Sequence, residues 1–203
     1  MYLPQQFNQP QHAATIMREH PFASLVTTDD TGFPFVTHLP LKLLEEGGQP
    51  AKLLGHCARG NPLGNYLQQR PLALASFMGP QAYMSPKVYA DLQRVPTWTY
   101  LAVQAKLEAR LLDGEEAKDA LLKQLIADHE PAYADQWRAL AESYTTAMLA
   151  NIVGLELAVT EWQCAVKVNQ HRPEAHAAMH AAYAAGSEQE QALAAWMRKL
   201  GLV

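Results

Sequence analysis

From Leu101 to Leu111 the chain sets Leu101, Val103, Ala105, Leu107, Ala109 and Leu111 against Gln104, Lys106, Glu108 and Arg110. One face is apolar and the other polar, the two-residue period of a half-buried strand. A strand this long cannot lie flat. It twists and curls, and curling sheets often close into barrels. The rest of the fold must therefore supply partners for a curling sheet.

Partners are close at hand in the sequence. Phe22–Thr28 reads as a strand, Asp29–Gly32 as a turn, and Phe33–Leu44 as a longer strand interrupted by Pro34 and Pro40. Glu45–Gly48 is a second turn, and Lys52–His56 a third strand. Connections of hairpin length imply antiparallel neighbours, not crossovers. Leu72–Met78 is apolar throughout, as in a strand buried on both faces, and Ile152–Trp162 alternates again. Gly79–Pro96 carries three prolines and little periodicity and reads as a loop.

Helices bracket these strands. Pro10 opens one that Pro21 stops after His20, and Asn61-Pro62 opens a short one through about Gln69. Asp113 reads as an N-cap with Glu116 as its capping-box partner, leading a helix to His129. A further helix is expected over Asp135–Ala150. An alanine-rich tail, Pro173–Ala185 and Ser187–Leu200, is expected as two helices broken at Gly186. Strands cluster and do not alternate with helices, so the class is α+β with an antiparallel sheet or barrel. The domains expected are 1–172 and a helical extension, 173–203.

Composition narrows the function. A net charge of −4 argues against a nucleic-acid-binding face as the main business. The two cysteines, Cys57 and Cys164, fit neither zinc spacing nor a disulfide framework. No apolar run approaches the roughly 18 residues of a membrane span, and the N-terminus has no secretory pattern, so a cytoplasmic location is expected. Nucleotide-loop, serine-hydrolase and zinc-protease motifs are missing. His176 and His180 share one helical face but have no third ligand nearby, which favours a solvated surface over a metal site.

One corner carries chemistry. In Gly55-His56-Cys57-Ala58-Arg59-Gly60-Asn61-Pro62 a strand ends and a helix begins. Backbone N–H groups at a helix start favour an anion, and Arg59 adds a two-pronged cation. Arg59 paired with a surface carboxylate and Asn61 acting only as a cap is the plainer reading. Three other stretches are weaker: Val95–Tyr100 with Trp98 and Tyr100, Lys167–Arg172, and Gly79–Pro86 with Tyr83 and Ser85.

Taken in order, several motifs resemble the PaiB-type family, described as FMN-binding negative transcriptional regulators. They are Met1-Tyr2-Leu3-Pro4, His20–Ala23, Thr37-His38-Leu39-Pro40, Gly55–Pro62, Phe77–Pro86 and Val95–Trp98, and the similarity runs to about Arg172. The resemblance implies a six-stranded split barrel with flanking helices, and a homodimer with flavin at the subunit interface. It implies that Thr37, His38, Leu39 and Pro40 run along the flavin ring, largely through backbone groups. His56, Ala58, Arg59 and Asn61 would hold the phosphate, Tyr100 would lie near the ring, and Lys167 and Gln170 would come from the partner subunit. The sequence departs from the family at Val88, Thr99, Asn169 and His171.

The family name implies regulation, yet no DNA-reading element stands out. The tail outlines a helix-turn-helix, but Glu188 and Glu190 occupy the first turn of its second helix, where a recognition helix meets phosphates. Direct DNA binding is disfavoured. A flavin-dependent oxidoreductase or flavin reductase, or a haem-handling split barrel, is the alternative. No residue is assigned as catalytic, although His38 and His56 are candidate acid–base groups, and no histidine stands out as an axial ligand.

Overall fold

Helix α1 (Ala13–Glu19) follows a 3₁₀ turn at Pro10–His12, then come strands β1 (Phe22–Thr28), β2 (Pro34–Pro40), β3 (Lys42–Glu46) and β4 (Gln49–Ala58). Helix α2 (Leu63–Gln69) leads to two long strands, β5 (Leu72–Met84) and β6 (Thr97–Leu112). Helices α3 (Glu115–His129), α4 (Ala134–Ala139) and α5 (Glu142–Ala150) precede the last strand, β7 (Ile152–Lys167), and α6 (His176–Ala184) and α7 (Glu188–Lys199) end the chain. This computed structural model describes residues 1–203 except Leu92. That residue falls in the segment read from sequence as a loop and lies outside the described residues.

The chain divides into two units. One comprises Pro21–Phe77 and Gln104–Trp162, and the other comprises Met1–His20, Met78–Val103 and Gln163–Val203. The seven-stranded antiparallel sheet runs β2-β1-β5-β6-β7-β4-β3. Strands β2 and β3 therefore stand at opposite ends of this order, although only Leu41 separates them in sequence. A single extended residue reaches less than 4 Å, so the sheet must curl until its edges meet. A Cβ built on Gly55 of β4 would lie 2.8 Å from Leu41 Cδ2 and 3.0 Å from the Pro40 carbonyl oxygen, which marks the closure. This is the split barrel.

The hairpin registers follow the side-chain pattern. Leu25 pairs with Thr37 and Ala23 with Leu39, while on the other face Ser24 pairs with His38 and Val26 with Val36. Ala23, Leu25 and Leu39 are buried with Leu53, Leu63, Leu67, Ala75, Phe77, Leu107, Leu155 and Leu157 in the core of the first unit. The second unit buries Ile16, Met17, Leu101, Val103, Met179, Tyr183, Leu193, Trp196 and Met197. There Thr99 is buried, its hydroxyl 2.6 Å from that of Tyr183 and donating to the Ala82 carbonyl.

Several expectations are corrected. Phe33–Leu44 is two strands, because Pro40 lacks an N–H and Leu41 carries the chain across the closure. With β2 and β3 separate, the sheet has seven strands where six were expected. The segment taken for a loop from Gly79 is strand as far as Met84, with Pro80 buried inside it. Asp113 does not cap α3. Gly114 holds that position without a side-chain bond, since the Asp113 carboxylate is spent on cations. The helix expected over Asp135–Ala150 is broken where Leu140 and Ala141 adopt extended backbone.

Candidate functional site

Strand β4 delivers His56 and Ala58 to its end, and the chain then turns through Arg59 and Gly60 into α2. The Asn61 amide fixes this corner. Its Oδ1 accepts from the Leu63 N–H at 3.0 Å, and its Nδ2 donates to Thr37 Oγ1 at 3.1 Å, so one side chain caps α2 and ties it to β2. Leu39 points into the core, leaving only its backbone to meet a ligand. His38 stands on the outer face of the β1–β2 hairpin, its Nδ1 3.1 Å from Ser24 Oγ and its ring facing Phe22.

Arg59 is busier than the sequence suggests. Its backbone N–H donates to the Asn151 carbonyl, Nε donates to the Ala150 carbonyl, and Nη2 donates to the Ile152 carbonyl and the Asp113 carboxylate. Lys118 stands 3.7 Å from the same carboxylate. The Arg59 hydrogen bond and charge together hold the Asp113 carboxyl below its ordinary range. The guanidinium thus braces the junction between α5 and β7 while remaining half-exposed.

Tyr100, Lys167 and Gln170 belong to the other unit. Lys167 Nζ donates to Thr97 Oγ1 at 2.9 Å and lies 5.8 Å from the centre of the Tyr100 ring. Gln170 braces its own turn. It accepts from the Val168 N–H and donates to the carbonyls of Val166 and Gln6. The histidine pair of the tail has separate partners: His176 Nε2 is 3.0 Å from the Asn169 carbonyl, and His180 accepts from Arg198. Sequence reasoning missed Asp113 as a partner of Arg59, and it missed Tyr89 and Arg94 beside the Lys167–Arg172 stretch. The only signal for the last two was the polarity of that stretch.

Arg59, Asn61 and Thr37 stand at or beside one strand-to-helix corner of a split barrel, a fold that defines a class of proteins. The comparisons place the chain within it. Residues 1–161 match the family described as "Putative FMN-binding domain", and the chain belongs to that family. It is 31% identical over 179 residues to the protease synthase and sporulation protein PAI 2 of Bacillus subtilis, covering 86% of this chain and 84% of that one. Among solved structures it resembles the flavocytochrome Anf3 of Azotobacter vinelandii, with a TM-score of 0.62 at 15% identity over 81% of this chain and 71% of that one. It also resembles the FAD and haem binding protein of Mycobacterium smegmatis, with a TM-score of 0.60 at 17% identity over 79% and 72% of the two chains.

The donors at the corner suit the family's cofactor. Arg59, Asn61 and Thr37 are the groups a phosphate recruits, and a Cβ on Gly60 would meet nothing within 4 Å, so the turn is open. Among the described residues Asp113 is the charged group that competes for Arg59, beside the Ala150 and Ile152 carbonyls.

Burial also makes this corner pH-sensitive. It lowers the pKa of His56 from the ordinary 6.5 and does the same for His12, His20 and His171. A histidine with a depressed folded-state pKa is protonated first in the unfolded chain, so stability is lost as pH falls below about 6.5. The thermal midpoint should be level above neutrality and should decline from pH 6.5 toward 5. His56→Gln should flatten part of that slope, and a midpoint that rises on acidification in this range would contradict the assignment.

Proposed function

We propose that this chain is a cytoplasmic FMN-binding regulator of the PaiB type that works as a homodimer with flavin at the subunit interface. Membership of the FMN-binding family carries the reading, and the corner donors support it. His56, Ala58, Arg59 and Asn61 would take the phosphate, and Thr37, His38, Leu39 and Pro40 would border the ring. Tyr100 would lie near the ring, and Lys167 and Gln170 would be supplied from the other subunit. When bound, the flavin supplies the redox chemistry, while the protein binds and orients it.

An outer sheet face supports the dimer. Val26 lies opposite Val36 on β2 and Leu74 on β5, and Phe22, Val36 and Leu72 on the same strands are exposed. Exposed apolar surface of this kind is commonly covered by a second subunit. Regulation would pass through the flavin or a protein partner. In the first turn of α7 the Glu190 carboxylate accepts from the Ser187 N–H and hydroxyl, a closed capping box that presents negative charge where DNA phosphates would sit.

The deciding experiment is the visible spectrum of the purified protein, before and after adding FMN or haem, with sedimentation on the same samples. A flavin spectrum saturating at one FMN per chain in a dimer is expected. A haem spectrum without flavin binding, or a stable monomer at micromolar concentration, would overturn the reading.

A further inference from the structure

A cavity of about 360 Å³ opens in the unit formed by Met1–His20, Met78–Val103 and Gln163–Val203. This is within the range of small-molecule sites, roughly 300–1,000 Å³. Arg94, Lys167, Asn169 and Arg172 line it together with Tyr89, and Phe7 and Met84 provide apolar wall.

Asn169 is built as a fixed donor. It is 5% exposed and sits in the left-handed region at φ 62°, where asparagine is tolerated. Its backbone carbonyl accepts from the Arg172 N–H and faces His176 Nε2, which must carry the proton because a carbonyl oxygen only accepts. Its Oδ1 accepts from the Tyr89 hydroxyl at 3.1 Å, and among the described residues its Nδ2 is buried without a partner. Arg94 carries a second such donor. Its guanidinium stacks 4.8 Å from the centre of the Tyr89 ring, and Nη2 pairs with Asp91 at 2.8 Å and lies 3.8 Å from Glu174. Among the described residues its Nε is buried without a partner. Arg172 reaches the same Glu174 only at 4.0 Å. Among the described residues around the cavity, Arg94, Lys167 and Arg172 stand against two carboxylates, Asp91 and Glu174, which leaves one positive charge over.

Two orphaned donors and surplus positive charge beside apolar wall define the complement. We infer that this cavity binds a small organic anion, a carboxylate or a phosphate monoester, with its charged end at Arg94, Asn169 and Arg172 and its apolar part toward Phe7 and Met84. Lys167 is shared with the flavin reading, and without it the charges balance; the inference then rests on the two orphaned donors of Arg94 and Asn169, which that reading does not use.

The test is calorimetric titration of the full chain with phenyl phosphate and, separately, benzoate, at matched ionic strength, with benzyl alcohol as the uncharged control. At least one anion should bind saturably and the alcohol should not. The anion that binds tells a tetrahedral from a planar headgroup. Asn169→Asp keeps the acceptor for Tyr89 and replaces the free donor with a charged oxygen, so it should weaken binding about tenfold or more, as should Arg94→Gln. Circular dichroism confirms that both variants fold, and Arg94→Gln alone decides the matter if Asn169→Asp does not. Protein saturated with FMN should bind the probe equally well, and competition would reassign the cavity to the flavin's own phosphate and overturn the inference. Absence of binding by either anion, or variants that bind like wild type, would also overturn it. A wild type that takes up no FMN sinks the flavin reading and leaves this result intact.

Discussion

Gly55→Ala should lower the thermal midpoint by roughly 2–12 °C. The added Cβ would lie 2.8 Å from Leu41 Cδ2, 3.0 Å from the Pro40 carbonyl oxygen and 3.2 Å from Leu39 Cδ1. Leu39 and Leu41 are both buried and the carbonyl is backbone, so nothing there yields easily. Overpacking of this kind costs about 1–3 kcal/mol, and each kcal/mol moves the midpoint of a chain this size by about 2–4 °C. The strain falls where one residue, Leu41, joins the strands at opposite ends of the sheet order, so relief would require the barrel to open. Gly60→Ala is the control, because its Cβ meets nothing within 4 Å, and it should stay within about 0.5 kcal/mol of wild type. Equal melting of the two variants would mean that the closure is loose.

That closure explains much of what the sequence could and could not convey. The alternation in β6 and the bounds of β1 were legible because each depends on local pattern and flanking turn residues. The identity of Leu41 as a crossing point was not, since extended backbone runs on both sides of it and only long-range pairing separates them. Pro80 misled for a related reason. Proline argues against a strand, yet it is tolerated wherever its missing N–H is not needed by a neighbour. The break at Leu140–Ala141 has no glycine or proline to announce it.

The corner at Arg59 was legible for the opposite reason. Strand end, arginine, asparagine and helix start are contiguous, so their placement at one corner needs no tertiary knowledge, whereas the direction of the Arg59 side chain does. Asp113 is distant in sequence, and an aspartate before a helix is read most simply as a cap. Its choice of Arg59 and Lys118 over α3 is a tertiary outcome. The cavity at Asn169 is harder still, for its walls come from the N-terminal turn, the β5–β6 connection and the segment after β7. The last two looked unusual in sequence, each by itself, and nothing local joined them.

Arg59→Ala should weaken FMN about ten- to a hundredfold and riboflavin far less. A charge-assisted hydrogen bond to phosphate contributes roughly 1.5–3 kcal/mol, and ~1.4 kcal/mol is tenfold. Arg59→Lys should restore only part of the affinity, because an ammonium cannot make the two-pronged contact. The structure adds a second, opposite-signed test. Asp113 occupies one edge of the guanidinium, so a phosphate must share or displace it. Asp113→Asn removes that charge but leaves the Arg59 contacts to the Ala150 and Ile152 carbonyls, and it should tighten FMN while leaving riboflavin unchanged. Those carbonyl contacts also set the competing outcome. If Arg59 serves only to brace the α5–β7 junction, Arg59→Ala would loosen the corner for both ligands alike, and Asp113→Asn would tighten neither. Titrating wild type and the three variants with FMN and riboflavin, followed by flavin fluorescence, separates a phosphate ligand from a brace.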